Sequence, residues 1–295
     1  MLKGTYVFKQ GGVEVGRSEN IITTNGKTAI LQYLSGALSE WAASIAVGTI
    51  NTTPTVNDLT LAYEVARSAV TLKSFQVGSP NLIVVKGTLA ASVAANIYEV
   101  GVFPVTTANI FGTRDQLIID DFSGISNWKG TYTTNQYAAQ NSISPRIGTY
   151  SVNIPAATTI SNSNFYLNLS SYSQLDSLNI LANVPSGSSG TLNVVLTDVS
   201  SNTAIVSYTF NGATTSGYQI LSGKLPSNIS TLGTITSVSI QTVGVSSSIT
   251  VDAIKVSVLG EITNSAGIVS RSVLTTPIAK IYGVPLDIEY YLQLS

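Results

Sequence analysis

Three aspartates and a set of aromatic residues are the groups whose types and spacing could do chemistry in this sequence. Asp120 and Asp121 stand near the start of a charge-poor middle segment, and Asp252 stands near its end. If the first and last strands of that segment pair, the three carboxylates come together, and hard oxygen donors of this kind suit Ca²⁺. They are the candidates for a structural calcium; the plain alternative is a turn closed by surface carboxylates. Trp128, Tyr132, Tyr137 and Tyr166 lie among Asn and Gln residues. Aromatic faces take the C–H groups of pyranose rings while amides bind the hydroxyls, so these four are candidate carbohydrate contacts.

Catalysis has little to work with. The chain has no histidine and no cysteine, which removes imidazole bases, thiol nucleophiles, disulfides and the usual zinc and copper ligands. A glycosidase needs two carboxylates flanking one bond. Asp120 and Asp121 are adjacent, and adjacent side chains of a strand point to opposite faces. The expectation is a protein that is not an enzyme and carries no cofactor beyond the candidate calcium. Glu64 with Arg67, and Glu99 with Arg271, read as ion pairs tying strands together or as subunit contacts. Tyr290 and Tyr291 face opposite sides of a terminal strand, so Tyr291 is a further candidate for meeting a neighbour.

Composition agrees with a structural part. Of 295 residues only 10% are charged, 14 basic against 15 acidic, for a net charge of -1. That balance leaves no electrostatic footprint for nucleic acid or anionic lipid. No apolar run approaches the ~20 residues of a membrane span, and the opening Met1-Leu2-Lys3-Gly4 lacks the pattern of a signal peptide. The expectation is a soluble chain made in a cytoplasm, without membrane insertion.

The elements that must position these residues are nearly all strands. Residues 5–9 and 13–17 alternate around Gln10-Gly11-Gly12 as a hairpin requires. Thr24-Asn25-Gly26 offers capping groups to a short helix with an apolar stripe of Ala29, Ile30, Leu31, Leu34 and Leu38. Extended runs follow at 44–48, 66–73, 82–89 and 96–103, and again at 268–274 and 286–294, the last two divided by Thr276-Pro277 and Gly283-Val284-Pro285. Between them, residues 116–259 hold four basic and five acidic residues and alternate at 177–182, 191–197, 204–210, 238–243 and 249–258, the pattern of an antiparallel sandwich or jelly roll. The predicted organisation is all-β with one short helix: a discontinuous β-module of residues 1–115 and 260–295 around an inserted jelly-roll sandwich at 116–259.

The outer module resembles virion proteins of tailed bacteriophages, of the tail-fibre, baseplate or minor structural kind. The resembling words run from Asn20 to Lys27, then Ile45-Ala46-Val47-Gly48-Thr49, Glu64-Val65-Ala66-Arg67, Ile97 to Phe103, Val269 to Leu274 and Leu286 to Leu292. In such proteins the word ending at Phe103 is soon followed by the one holding Arg271, so the intervening segment reads as an insertion. That insertion resembles a carbohydrate-binding-module jelly roll in Asp120-Asp121-Phe122 with Trp128, Leu175-Asp176-Ser177-Leu178, Gly217-Tyr218 and Thr250 to Val256. The resemblance places Trp128 at a core position and supports the calcium near the first and last strands.

Together these resemblances imply a virion component assembled in the host cytoplasm. It would be a tail, fibre or baseplate appendage whose jelly roll contacts host-surface glycans. Two alternatives stand beside it: a capsid decoration protein or head fibre, and a polysaccharide-degrading tailspike. The implied partners are other virion proteins, host glycans and further copies of the chain, with a homotrimer expected for a fibre-like part.

Overall fold

The fold is taken from a computed structural model that describes residues 2–76, 78–104, 117–122, 128–130, 139–140, 146–148, 150–257 and 267–294. In chain order the elements are β1 (Leu2–Gln10), β2 (Val13–Glu19), β3 (Ile21–Ile22), α1 (Thr24–Leu34), β4 (Ser44–Gly48), β5 (Glu64–Gln76), β6 (Ser79–Leu89) and β7 (Ala95–Phe103). There follow β8 (Leu117–Asp120), β9 (Lys129–Gly130), β10 (Ala139–Gln140), β11 (Val152–Ile154), β12 (Thr159–Asn162), β13 (Ser177–Val184), β14 (Ser189–Asp198) and β15 (Thr203–Asn211). The chain closes with β16 (Gly217–Lys224), β17 (Ile235–Val243), β18 (Ile249–Ser257), β19 (Ser270–Lys280) and β20 (Leu286–Leu294). It divides into two compact units, Met1–Ile110 with Ile262–Ser295, and Phe111–Glu261.

In the first unit, nine strands follow one antiparallel path, β2-β1-β20-β6-β5-β4-β7-β19-β3. β20 lies between β1 and β6, and β19 between β7 and β3, so strands from the two ends of the sequence alternate in one sheet. The β1–β2 turn is carried by Gly11 and Gly12 at φ 57° and 81°, a left-handed backbone that suits glycine. Tyr6, Phe8, Ile45, Val85, Ile97, Val100, Ile288 and Tyr290 form the core, with Tyr6 and Tyr290 rings 4.7 Å apart. Successive residues take opposite faces of the sheet, which is why on β20 Tyr290 is buried while Tyr291 is not.

Two details differ from the sequence reading. The helix is capped by the Thr23 hydroxyl accepting from the Gly26 N–H, but its buried side is Gly26 and Ala29; Leu31 and Leu34 are 66% and 74% exposed. The reason is distance. A Cβ on Gly26 would lie 1.9 Å from the Val269 carbonyl oxygen, so the helix rests on its smallest residues and turns its leucines out. The second detail is Pro277, placed at a break by its sequence but lying inside β19. The β7–β19 register shifts between Val273 and Ile278, and a bulge can hold a residue that donates no ladder hydrogen bond.

The second unit is an antiparallel sandwich. One sheet runs β10-β11-β18-β13-β16, with β8 also on β18; the other runs β15-β14-β17-β12-β9. Leu178, Ile180, Val194, Leu196, Val206, Ile240, Val251 and Ile254 fill the space between them. The first and last strands of this unit pair, with Ile254 opposite Asp120.

Candidate functional site

The β8–β18 pairing brings Asp120 alongside the middle of β18, where Asp252 lies between the stretches paired with β11 and with β8. Asp120 Oδ2 accepts from Trp128 Nε1 at 2.9 Å and its Oδ1 accepts from the Phe122 N–H at 2.6 Å. Burial raises its pKa, and the neighbouring Asp121 adds to that rise. Asp252 is wholly buried at the bulge where β18 slips against β13. Its Oδ2 accepts from the Arg146 and Ile147 N–H groups at 2.7 and 3.1 Å. Its Oδ1 is buried without a hydrogen-bond partner. Burial pushes the Asp252 carboxyl up to about 7, against the pull of those donors.

A three-carboxylate calcium cage does not fit this donor set. Both Asp120 oxygens are engaged in holding Trp128 and the Phe122 turn, and among the described residues no group of three or more acidic, histidine or cysteine side chains is placed to hold a metal. Of the three expected ligands, Asp252 keeps an Oδ1 that no hydrogen bond occupies.

The aromatic candidates separate. Trp128 is 0% exposed, packed against Phe122 and Phe165, so the expected sugar platform is a core residue and the core position implied by resemblance is the one it occupies. The physical reason is its indole N–H, which a buried Trp must satisfy and which finds Asp120. Tyr166 is 88% exposed and remains available to a ligand. Tyr132 and Tyr137 lie outside the described residues.

A different surface of this unit has binding character. Leu178, Ile180, Ala182 and Val184 of β13 face the core, so Asn179 and Asn183 face away from it. Asn183 stands opposite Tyr218 of β16, and Thr250 of β18 stands opposite both Asn183 and Asn153. The Arg146 guanidinium lies 4.6 Å over the Tyr218 ring. Asp252, by holding the Arg146 backbone N–H, fixes where that guanidinium starts. Asn179, Thr250 and Lys255 on this face are all buried, and Leu181, between Asn179 and Asn183, is buried with them, so the outer side of the sheet mixes polar and apolar groups and is withdrawn from water. Amides, a hydroxyl, an ammonium and an arginine-backed aromatic ring are what a polyhydroxylated ligand requires. The signal was present in the polar residues at period four along β13, Asn179 and Asn183; what sequence did not supply was the Arg146–Tyr218 meeting.

No protein-family model matches the sequence, and no curated protein sequence matches it. Among solved structures, a xylan-binding domain of carbohydrate-binding module family 22 aligns at 11% identity and a TM-score of 0.32, over 50% of this chain and 96% of its own. The C-terminal family 22 module of Clostridium thermocellum Xyn10B aligns at 13% identity and 0.31, over 49% and 94%. A D431N mutant VP2 protein of infectious bursal disease virus aligns at 12% identity and 0.23, over 99% of this chain and 62% of its own.

The contact candidates of the first unit are placed as follows. Glu64 and Arg67 form an ion pair at 2.7 Å, with the Arg67 guanidinium 3.9 Å over the Phe103 ring. Arg271 pairs with Glu99 and Asp58. Tyr291 donates to Glu289 Oε2 at 2.6 Å and lines a concavity of about 700 Å³ with Lys3, Thr5, Arg17, Glu19 and Gln293. Among the described residues no helix is long and apolar enough to cross a membrane.

Proposed function

We propose that this chain is a structural protein of a tailed-phage virion, a tail, fibre or baseplate appendage that contacts host-surface glycans. The first unit serves as the anchor and the second as the glycan-contacting part. The observation that carries the glycan reading is the Arg146 guanidinium stacked over the Tyr218 ring, with Asn183 opposite Tyr218, on the outer face of the β18-β13-β16 sheet. The resembling words supply the virion reading; Glu99 and Arg271, from two of them, are joined across the insertion. Its action is non-covalent binding, strengthened by many copies on one particle.

The test has two parts. Cryo-electron microscopy of the intact virion locates the chain, and density at the tail or baseplate supports the appendage, whereas density at symmetric capsid positions replaces it with a decoration protein or head fibre. Binding of the full chain to an array of bacterial surface polysaccharides tests the glycan part. No binding to any of them sinks it, and release of oligosaccharide would turn the reading to a tailspike enzyme.

A further inference from the structure

The ends of the sheets are not alike. β3, β9 and β10 are two residues long, and β8 is four. β2 carries Glu14, Arg17 and Glu19 and lies beside a register shift in β1. β16 carries Lys224 and two glycines. Short length, charge and bulges are the means by which proteins keep open strand edges from pairing with other chains. β15, Thr203-Ala204-Ile205-Val206-Ser207-Tyr208-Thr209-Phe210-Asn211, has none of them. It is nine residues long, without charge, proline or glycine, and pairs with β14 in an unbroken register.

The direction of its open hydrogen-bonding groups follows from its two ends. The Asn202 carbonyl accepts from the Asp198 N–H, and the Gly212 N–H donates to the Ser188 carbonyl, so even-numbered residues turn toward β14. In an antiparallel strand alternate residues turn both backbone groups the other way. Asn228 Nδ2, donating to the Thr203 carbonyl at 3.0 Å, sits on that other side and covers one end of it. Ile205, Ser207 and Thr209 are left presenting N–H and C=O outward, beside an Ile205 side chain that is 53% exposed.

We propose that β15 is a pairing edge for a second copy of this chain, joined antiparallel across a two-fold axis at Ser207. Ser207 is the middle residue of the strand, so the axis sets Ser207 against Ser207 and Ile205 against Thr209 in both directions. An isologous contact must be self-complementary, and an uncharged strand meets its own copy without like-charge repulsion. The pairing continues the five-stranded sheet into its copy and gives Ile205 a second cross-strand neighbour besides Val195.

Sedimentation velocity on the full chain, over a concentration series, tests this. The expected result is a dimer that becomes a monomer in the double variant Ile205→Lys with Thr209→Lys, both outward-facing, with the melting curve retained. Because the chain has no cysteine, Ser207→Cys supplies a single thiol. Directly opposed residues of such a pair lie about 5.5 Å apart at Cα, within reach of a disulfide. Oxidised Ser207→Cys should therefore run as a covalent dimer, and Ser200→Cys on the adjacent turn should not. A monomer at every concentration, a dimer or trimer indifferent to the two lysines, or equal cross-linking through position 200 overturns the proposal. The inference rests on this strand alone and stands or falls independently of glycan binding.

Discussion

Arg271 Nη2 lies 2.7 Å from Glu99 Oε2, although 172 residues separate them in the chain. Both side chains are buried. Arg271 also reaches Asp58 at 2.7 Å and the Thr52 hydroxyl at 3.0 Å, while Glu99 accepts from the Ala62 and Tyr63 N–H groups. One ion pair thus ties β7 and β19 to the 52–63 segment and joins the two stretches of the first unit. Removing one partner leaves the other charged and buried, which is more costly than losing the pair.

Arg271→Met is expected to destabilise the first unit by about 3–5 kcal/mol. Trp41 and Trp128, the only tryptophans, lie one in each unit, so urea unfolding followed in Trp128→Phe and Trp41→Phe backgrounds reports each unit separately. Adding Glu99→Gln to Arg271→Met should recover part of the loss. A midpoint unchanged by Arg271→Met would show that the pair ties nothing.

Asp252 makes stability depend on pH. Burial pushes its carboxyl up to about 7 in the folded state from the ordinary aspartate value of 3.8, so between those values the folded state binds the proton and the unfolded state does not. The stabilisation is present in full below pH 3.8 and is lost as pH rises through 7, a change of a few kcal/mol at most, by about 1.4 kcal/mol per unit. Asp252→Asn keeps an oxygen for the Arg146 and Ile147 N–H groups and carries no charge. It should raise the urea midpoint at pH 8 and flatten the profile; a variant with the wild-type pH slope would contradict this assignment.

Tyr218→Ala should lower glycan affinity about tenfold or more, since a stacked aromatic contributes on the order of 1.5 kcal/mol beyond its buried area. Tyr166→Ala, at an exposed position away from the Arg146 stack, should change it less. Isothermal titration with whichever polysaccharide the array identifies gives the comparison, and the reverse order of effects would move the site to Tyr166.

Calcium should do little. With Asp120 engaged by Trp128 and Phe122, millimolar Ca²⁺ followed by a chelator is expected to shift the melting temperature by no more than about 1 °C, whereas a strongly bound structural ion stabilises by mass action. A large, reversible upward shift would restore the calcium site and direct attention to Asp121 and Asp252.

The sequence by itself determined the class of fold. Period-two alternation marked β4 and β20 at their observed bounds and located most strands of the sandwich, because a strand with one buried face must alternate. Resemblance in short words pointed to the order of the modules. The thinner elements β8, β11 and β12 left no such trace, being too short for a period to register. Chemistry was less legible than fold. Trp128 as sugar platform and Trp128 as core residue have the same sequence, and only the placement of Asp120 beside its indole decided between them. Leu31 and Leu34 read as a buried stripe until the close approach of Gly26 to Val269 turned the helix the other way. The Glu99–Arg271 pair was read from sequence, but tertiary structure alone brought Arg146 over Tyr218 and Asp58 to Arg271, since periodicity reports which face a residue takes, while contacts across the sheet depend on strand order and register.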